Sequence, residues 1–233
     1  MKNTLWTFGD SMTFGHGCSD ECHSHTKEEY LAYKKEGDDI WPKHLSKFLD
    51  YNLKNLGRNG ASNDYILDCI IDNFDNIKEN DVVVINKTIH GRIEVPYKDK
   101  TYRIPASYEQ TKVDLVENNS FIHKVWITEE FKDFGEERIE AFINFQYHFS
   151  DHVFYKNRNN KRFDFLKGRL VNEKKVKFCF VWGLEESIDI LRTFANIKQD
   201  TNGKIDDTHF SFKGHLDFAR YLYAMIDNQK RLI

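Results

Sequence analysis

The chain has 233 residues, 40% of them hydrophobic, and 34 basic against 37 acidic side chains give a net charge of −3. That size suits one domain, residues 1–233, with a substantial core, and the charge balance argues against nucleic acid or an acidic membrane as partner. No apolar run approaches the roughly 18 residues of a membrane span and no signal-peptide core follows Met1, which points to a cytoplasmic protein, or a virion- or phage-associated one given the many Asn and Lys residues.

Thr4 to Gly9 reads as a short buried strand ending in Gly9-Asp10-Ser11. His16 to Asp39 is polar and reads as a long loop, with a helix around Lys27 to Lys35. Trp41, Leu45, Phe48 and Leu49 recur at helical spacing between Ile40 and Tyr51, and Pro42 suits the first turn. Tyr51 to Leu56 is a second strand, closed by Gly57 and Gly60. Ser62 then caps a helix with Tyr65, Ile66, Cys69, Ile70, Phe74 and Ile77 on its apolar face. Asp81 to Asn86 reads as a strand buried on both faces.

Residues 89–135 lack clean periodicity and read as an insertion over the sheet. A helical region follows from about Glu136, broken near the polar run Lys156 to Arg162, and Lys175 to Trp182 is another buried strand. The last helix spans Lys213 to Asn228, with Leu216, Phe218, Ala219, Leu222, Tyr223 and Ile226 inward. Strands alternating with helices imply a three-layer α/β/α sandwich with a mostly parallel sheet. The four cysteines (Cys18, Cys22, Cys69, Cys179) show no disulfide-framework spacing, so reduced thiols are expected.

In such a fold ligands gather at the carboxyl ends of the strands. Three loops converge there: those carrying Ser11, Gly57 to Ser62, and the residues after Asn86. Ser11, directly after a strand, is placed to attack, but a serine needs a base and the base an orienting group. Asp206-Asp207-Thr208-His209, ahead of the last helix, could supply both.

These residues resemble a family. Gly9-Asp10-Ser11 is similar to the first block of the SGNH (GDSL-like) hydrolases, and Asp206-x-x-His209 to their last. Asn55-Leu56-Gly57-Arg58-Asn59-Gly60-Ala61-Ser62 resembles the second block, in which a glycine amide helps to bind the oxyanion. Phe210-Ser211-Phe212-Lys213-Gly214-His215 resembles the family's entry into its final helix. The resemblance implies Ser11 as nucleophile, His209 as general base and Asp206, rather than Asp207, as its orienter. The backbone amides of Ser11 and Gly60 become oxyanion donors, and Asp10 a structural residue that bonds loop amides.

The third block departs from the family. In place of Gly-x-Asn-Asp the chain has Asn86-Lys87-Thr88-Ile89-His90-Gly91-Arg92, similar to a divergent branch with Thr or Ser followed by Arg. Three options stand: Thr88 donates to the oxyanion through its hydroxyl, Asn86 substitutes, or the third donor is missing. Losing one such donor costs about 2.7–4 kcal/mol of transition-state stabilisation. Arg92 either clamps an anionic or sugar substrate or pairs with Glu94.

Other candidate features carry less. His16, Cys18, Cys22, His23 and His25 could ligate zinc, but no second Cys/His pair follows at finger-like spacing, and a plain loop is the simpler reading. His148 and His152 share a helix face without the glutamate of zinc-protease helices. No phosphate loop or dinucleotide fingerprint is present, so no cofactor is implied. The sequence therefore points to a cofactor-independent serine esterase or deacylase with a small-molecule or glycan ester substrate, such as a carbohydrate O-acetyl ester. The rival is a weakly active or inactive glycan-binding or structural module on the same scaffold.

Overall fold

The computed structural model describes residues 2–15, 40–90, 92–97, 100–104, 138, 141, 152–183, 187–194, 198–199, 205–207, 210 and 212–230. Four strands form the central sheet: β1 (Thr4–Gly9), β2 (Asn52–Gly57), β3 (Val82–Lys87) and β6 (Phe178–Gly183), in the order β2-β1-β3-β6. Every pairing is parallel, with Leu5 opposite both Leu53 and Val82, and Val82 opposite Phe178. All-parallel strands are covered on both faces, which explains the unbroken apolar run Val82-Val83-Val84-Ile85.

Alternate side chains of these strands enter two separate cores. Leu5, Val82, Val84, Phe178 and Trp182 face α2 (Trp41–Leu49) and α6 (Phe212–Lys230), packing on Trp41, Leu45, Phe218 and Leu222. Trp6, Phe8, Val83 and Ile85 face α3 (Asn63–Asn73) and α4 (His152–Asn172), packing on Ile66, Ile70, Phe163 and Leu170. The result is the three-layer α/β/α sandwich with a parallel sheet that the alternation of strands and helices implied. Ser62 caps α3 as expected, its Oγ accepting from Tyr65 N–H at 3.0 Å.

At the end of the sheet away from the strands' carboxyl termini, the buried Asp81 side chain ties the layers together. It accepts from Thr4 N–H at 2.7 Å, Trp6 Nε1–H at 2.9 Å and Lys78 N–H at 3.0 Å. Asp81→Ala orphans these donors and should lower unfolding free energy by about 2–4 kcal/mol. Urea unfolding checks this; a loss below about 0.5 kcal/mol, the range of an ordinary surface change, would contradict it.

Three details differ from the sequence expectation. Helix α4 runs unbroken through Lys156 to Arg162. The polar run is held by partners on other elements: Arg158 and Arg162 pair with Asp64, and Asn160 accepts from Lys87 Nζ at 2.7 Å. The segment after residue 89 opens with an antiparallel hairpin, β4 (Ile93–Tyr97) and β5 (Lys100–Ile104), rather than irregular chain. Strand β6 starts at Phe178, three residues past Lys175, which sits at φ 52 in a tight connection from α4. A short helix α5 (Ile188–Phe194) and a hairpin of β7 (Lys198–Gln199) and β8 (Ile205–Asp207) complete the described elements. The proposed helix at 27–35 and most of the 89–135 and 136–151 regions lie outside the described residues. No described helix is long and apolar enough to cross a membrane.

Candidate active site

From β1 the chain crosses to β2 on one side of it and to β3 on the other, so the strand order reverses between β1 and β3. The crevice beyond the carboxyl ends of such a pair is where parallel α/β sheets bind ligands. Ser11 follows β1 and Thr88 follows β3, so both stand at this point.

Ser11 opens the one-turn helix α1 (Ser11–Phe14). The helix doubles back tightly on the sheet because Gly9 has no side chain. A Cβ there would lie 2.3 Å from Thr13 Oγ1 and 2.8 Å from Asn86 Cβ. Asp10 caps the turn, its Oδ1 accepting from Met12 N–H at 3.1 Å. Neighbouring elements hold α1 from outside: Trp41 Nε1–H donates to the Met12 carbonyl at 3.1 Å, and Asn55 Nδ2–H to the Thr13 carbonyl at 3.2 Å. Ser11 is 5% exposed, so its place is a supported turn at the mouth of the sheet rather than an open loop.

The Gly60 turn is fastened to the same strand end. Arg58 N–H donates to the Gly9 carbonyl at 3.0 Å, and Ala61 N–H closes the turn on the Arg58 carbonyl at 3.1 Å. Gly60 has φ 71, which a glycine adopts without strain at that position of a turn. Residues Asn55 to Ser62 thereby lie beside the Ser11 turn.

The loop after β3 meets both. Thr88 is clamped by Asn63: its N–H donates to Asn63 Oδ1 and its carbonyl accepts from Asn63 Nδ2–H, each at 2.9 Å. Its hydroxyl has one proton to give. That proton goes to Asp10 Oδ2 at 2.8 Å, while Arg92 Nη1–H donates to the same hydroxyl oxygen at 2.8 Å. Arg92 also lies 3.3 Å from Asp10 Oδ2, so its ion-pair partner is Asp10 and not Glu94. The Asp10 side chain is 0% exposed and that of Arg92 22%, so the pair is buried at its acidic end and open at its basic end. Asn86 is turned into the fold: its Nδ2–H donates to the Lys87 carbonyl at 3.1 Å and its Oδ1 accepts from Thr13 Oγ1 at 3.5 Å.

Two partners in this network had no signal in the sequence. Asn63 follows the capping Ser62, where an asparagine looks like one more turn residue. Asn159, buried within the polar run of α4, sits 3.4 Å from His90 Nδ1, and Asn63 Nδ2 sits 3.5 Å from the same atom. The pattern of apolar residues along the chain is silent about such contacts.

At the other end of the chain, Asp206 lies in β8, with Asp207 opposite Lys198. Thr208 and His209 lie outside the described residues, as do His16, Cys18, Cys22, His23, His25 and His148. Phe210 is fully buried in the core that contains Met12, Trp41 and Trp182. His215 Nδ1 accepts from Trp41 N–H at 3.1 Å. Burial pushes the Cys179 thiol up to about 12 and raises that of Cys69, so neither offers a thiolate rival to Ser11. Among the described residues no group of His, Cys, Asp and Glu side chains is placed to hold a metal ion.

No family model and no curated protein sequence matches this chain. Among solved structures it is similar to an acetyl xylan esterase from Butyrivibrio proteoclasticus, 13% identical with TM-score 0.42, over 97% of this chain and 64% of that one. It is similar to a family two carbohydrate esterase from Clostridium thermocellum, 15% identical with TM-score 0.41, over 99% of this chain and 65% of that one. It is also similar to a carbohydrate acetylesterase from Sinorhizobium meliloti, 13% identical with TM-score 0.39, over 100% of both chains. The chain thus spans a little under two thirds of the first two.

Proposed function

We propose that this chain is an SGNH-type serine hydrolase that cleaves small acyl esters, with carbohydrate O-acetyl esters as the favoured class. The observation that carries the reading is the meeting, at the β1/β3 switch point, of the Ser11 turn, the Gly60 turn and the Thr88 loop. Those are the three blocks, far apart in sequence, whose order resembles the family.

In the reaction, Ser11 Oγ attacks the ester carbonyl carbon while His209 takes the hydroxyl proton. The carbonyl electron pair moves onto oxygen, and the N–H groups of Ser11 and Gly60 stabilise that charge. Collapse of the intermediate breaks the C–O bond, and the leaving alcohol oxygen takes the proton from His209. Water then attacks the acyl-enzyme with His209 again as base, releasing the acid and restoring Ser11. Asp206 orients the imidazole. Burial of Phe210, next to His209, in the same core as Met12, next to Ser11, supports bringing the two ends of the chain together. No step calls for a metal or organic cofactor.

One observation favours the rival, a glycan-binding module with little or no turnover. The Thr88 hydroxyl, where the family places an asparagine donor, is committed to Asp10. Hydrolysis of p-nitrophenyl acetate and a panel of acetylated sugars, with and without chelator, separates the two. The hydrolase reading expects turnover that chelator leaves unchanged. Binding of the sugars without release of acetate would establish the module instead.

A further inference from the structure

We infer that Arg92 supplies the side-chain oxyanion donor that Thr88 cannot, so that in this chain the third member of the hole is a guanidinium. The inference rests on the hydrolase reading above and adds a residue to it. Three observations lead there.

The first is the direction of the Thr88 hydrogen bonds. Asp10 is a carboxylate and can only accept, so Thr88 must donate to it, and the remaining lone pair of Thr88 Oγ1 accepts from Arg92. With its single proton used, Thr88 has nothing to give a substrate oxygen. Asn86, the other candidate, has its amide turned into the sheet and toward α1.

The second is where the guanidinium sits. Arg92 Nη1 lies 3.3 Å from Asp10, the neighbour of Ser11, and 3.5 Å from the carbonyl of Ala61, the neighbour of Gly60. It therefore bridges the two turns whose backbone amides are the other donors. The third is what the side chain has left. A guanidinium presents its N–H groups as a rigid fork. Every side-chain hydrogen bond of Arg92 to the described residues runs through Nη1, and none of them uses Nη2 or Nε. The side chain keeps 22% exposure beside a carboxylate that has none.

The chemistry fits an oxyanion better than a charged substrate group. Asp10 neutralises Arg92 in the resting site, so the pair offers no net charge to attract an anionic ligand. Fixed N–H dipoles still stabilise charge that develops on a carbonyl oxygen during attack, and they cost no reorganisation at that moment.

Steady-state kinetics of Arg92→Gln, Arg92→Lys and Thr88→Val on p-nitrophenyl acetate test the inference. Arg92→Gln should lower kcat by about a hundredfold or more with KM changed less than about threefold, the signature of an interaction made only in the transition state. Arg92→Lys retains the ion pair to Asp10 and guards against a variant that merely unfolds. A single ammonium head cannot hold Asp10 and reach the oxyanion together, so its kcat should fall by a similar factor of about a hundred while its thermal midpoint stays close to wild type. Thr88→Val removes one contact to Asp10 and should cost less than about tenfold.

If Arg92 acted only by holding Asp10, Arg92→Lys would retain most of the wild-type kcat, and Thr88→Val would lose about as much as Arg92→Gln. Either result overturns the inference and leaves the hydrolase reading standing. A wild type that neither turns over esters nor is acylated at Ser11 overturns the hydrolase reading and this inference with it.

Discussion

Ser11→Ala is expected to abolish hydrolysis of activated esters, with kcat down by at least about a thousandfold and the fold intact. The alanine removes the attacking oxygen and leaves the backbone amides of Ser11 and Gly60 in place, so substrate binding should survive. Ser11 is 5% exposed, but Asp10, Trp41 and Asn55 hold its turn through other atoms. Losing one hydroxyl there should cost about 1 kcal/mol, visible as a shift of a few degrees in thermal midpoint. Activity above about a tenth of wild type in a folded Ser11→Ala would end the serine mechanism.

The base and its orienter should show effects of similar size. His209→Ala is expected to lower kcat by about a thousandfold or more, because nothing else would take the Ser11 proton. Asp206→Asn should lower it by up to about ten-thousandfold, since an amide favours the wrong imidazole tautomer. Asp207→Asn should have a far smaller effect, because only the orienting carboxylate fixes the imidazole tautomer. The wild-type rate should rise with pH through the histidine range, since only the neutral imidazole accepts a proton. The pH–rate profiles of the three variants check this. Equal losses from Asp206→Asn and Asp207→Asn, or the reverse order, would assign the orienter to the other aspartate.

Much of the frame was legible because burial writes itself into spacing. Thr4–Gly9 and the run around Val82 to Ile85 read as strands because each is a short, largely apolar run of strand length, and Leu216 to Ile226 reads as a helix because its apolar residues recur at helical spacing. Spacing misled wherever polar residues found partners across the fold. The polar run of α4 looked like a break, yet Arg158 and Arg162 reach Asp64 on α3 and Asn159 is buried beside His90. The β4–β5 hairpin was hidden by Pro96, which removes a ladder donor and argues against a strand. It is tolerated there because, among the described residues, β4 pairs only with β5.

The candidate site was legible in type and less so in detail. Ser11, Gly60, Thr88 and Arg92 were marked in sequence, and the structure places their turns side by side. Which way the Thr88 proton points was beyond any motif, because it depends on Asp10, 78 residues away in the chain. The same holds for Arg92, whose nearest acidic neighbour in sequence was Glu94 but whose carboxylate in space is Asp10.

Removing Arg92 outright also has a structural consequence that the kinetics must respect. A buried Asp10 without its cation would be destabilised by about 3–5 kcal/mol, so circular dichroism and thermal midpoints belong beside every rate for that variant.

Covalent labelling tests the central claim most directly. Wild-type protein treated with a fluorophosphonate should gain one adduct by intact-mass spectrometry, mapped to Ser11 by peptide sequencing, and the label should be absent in Ser11→Ala and much slower in His209→Ala. A wild type that stays unlabelled, or one whose adduct maps to a residue other than Ser11, would contradict the assignment of Ser11 as the nucleophile of a serine hydrolase.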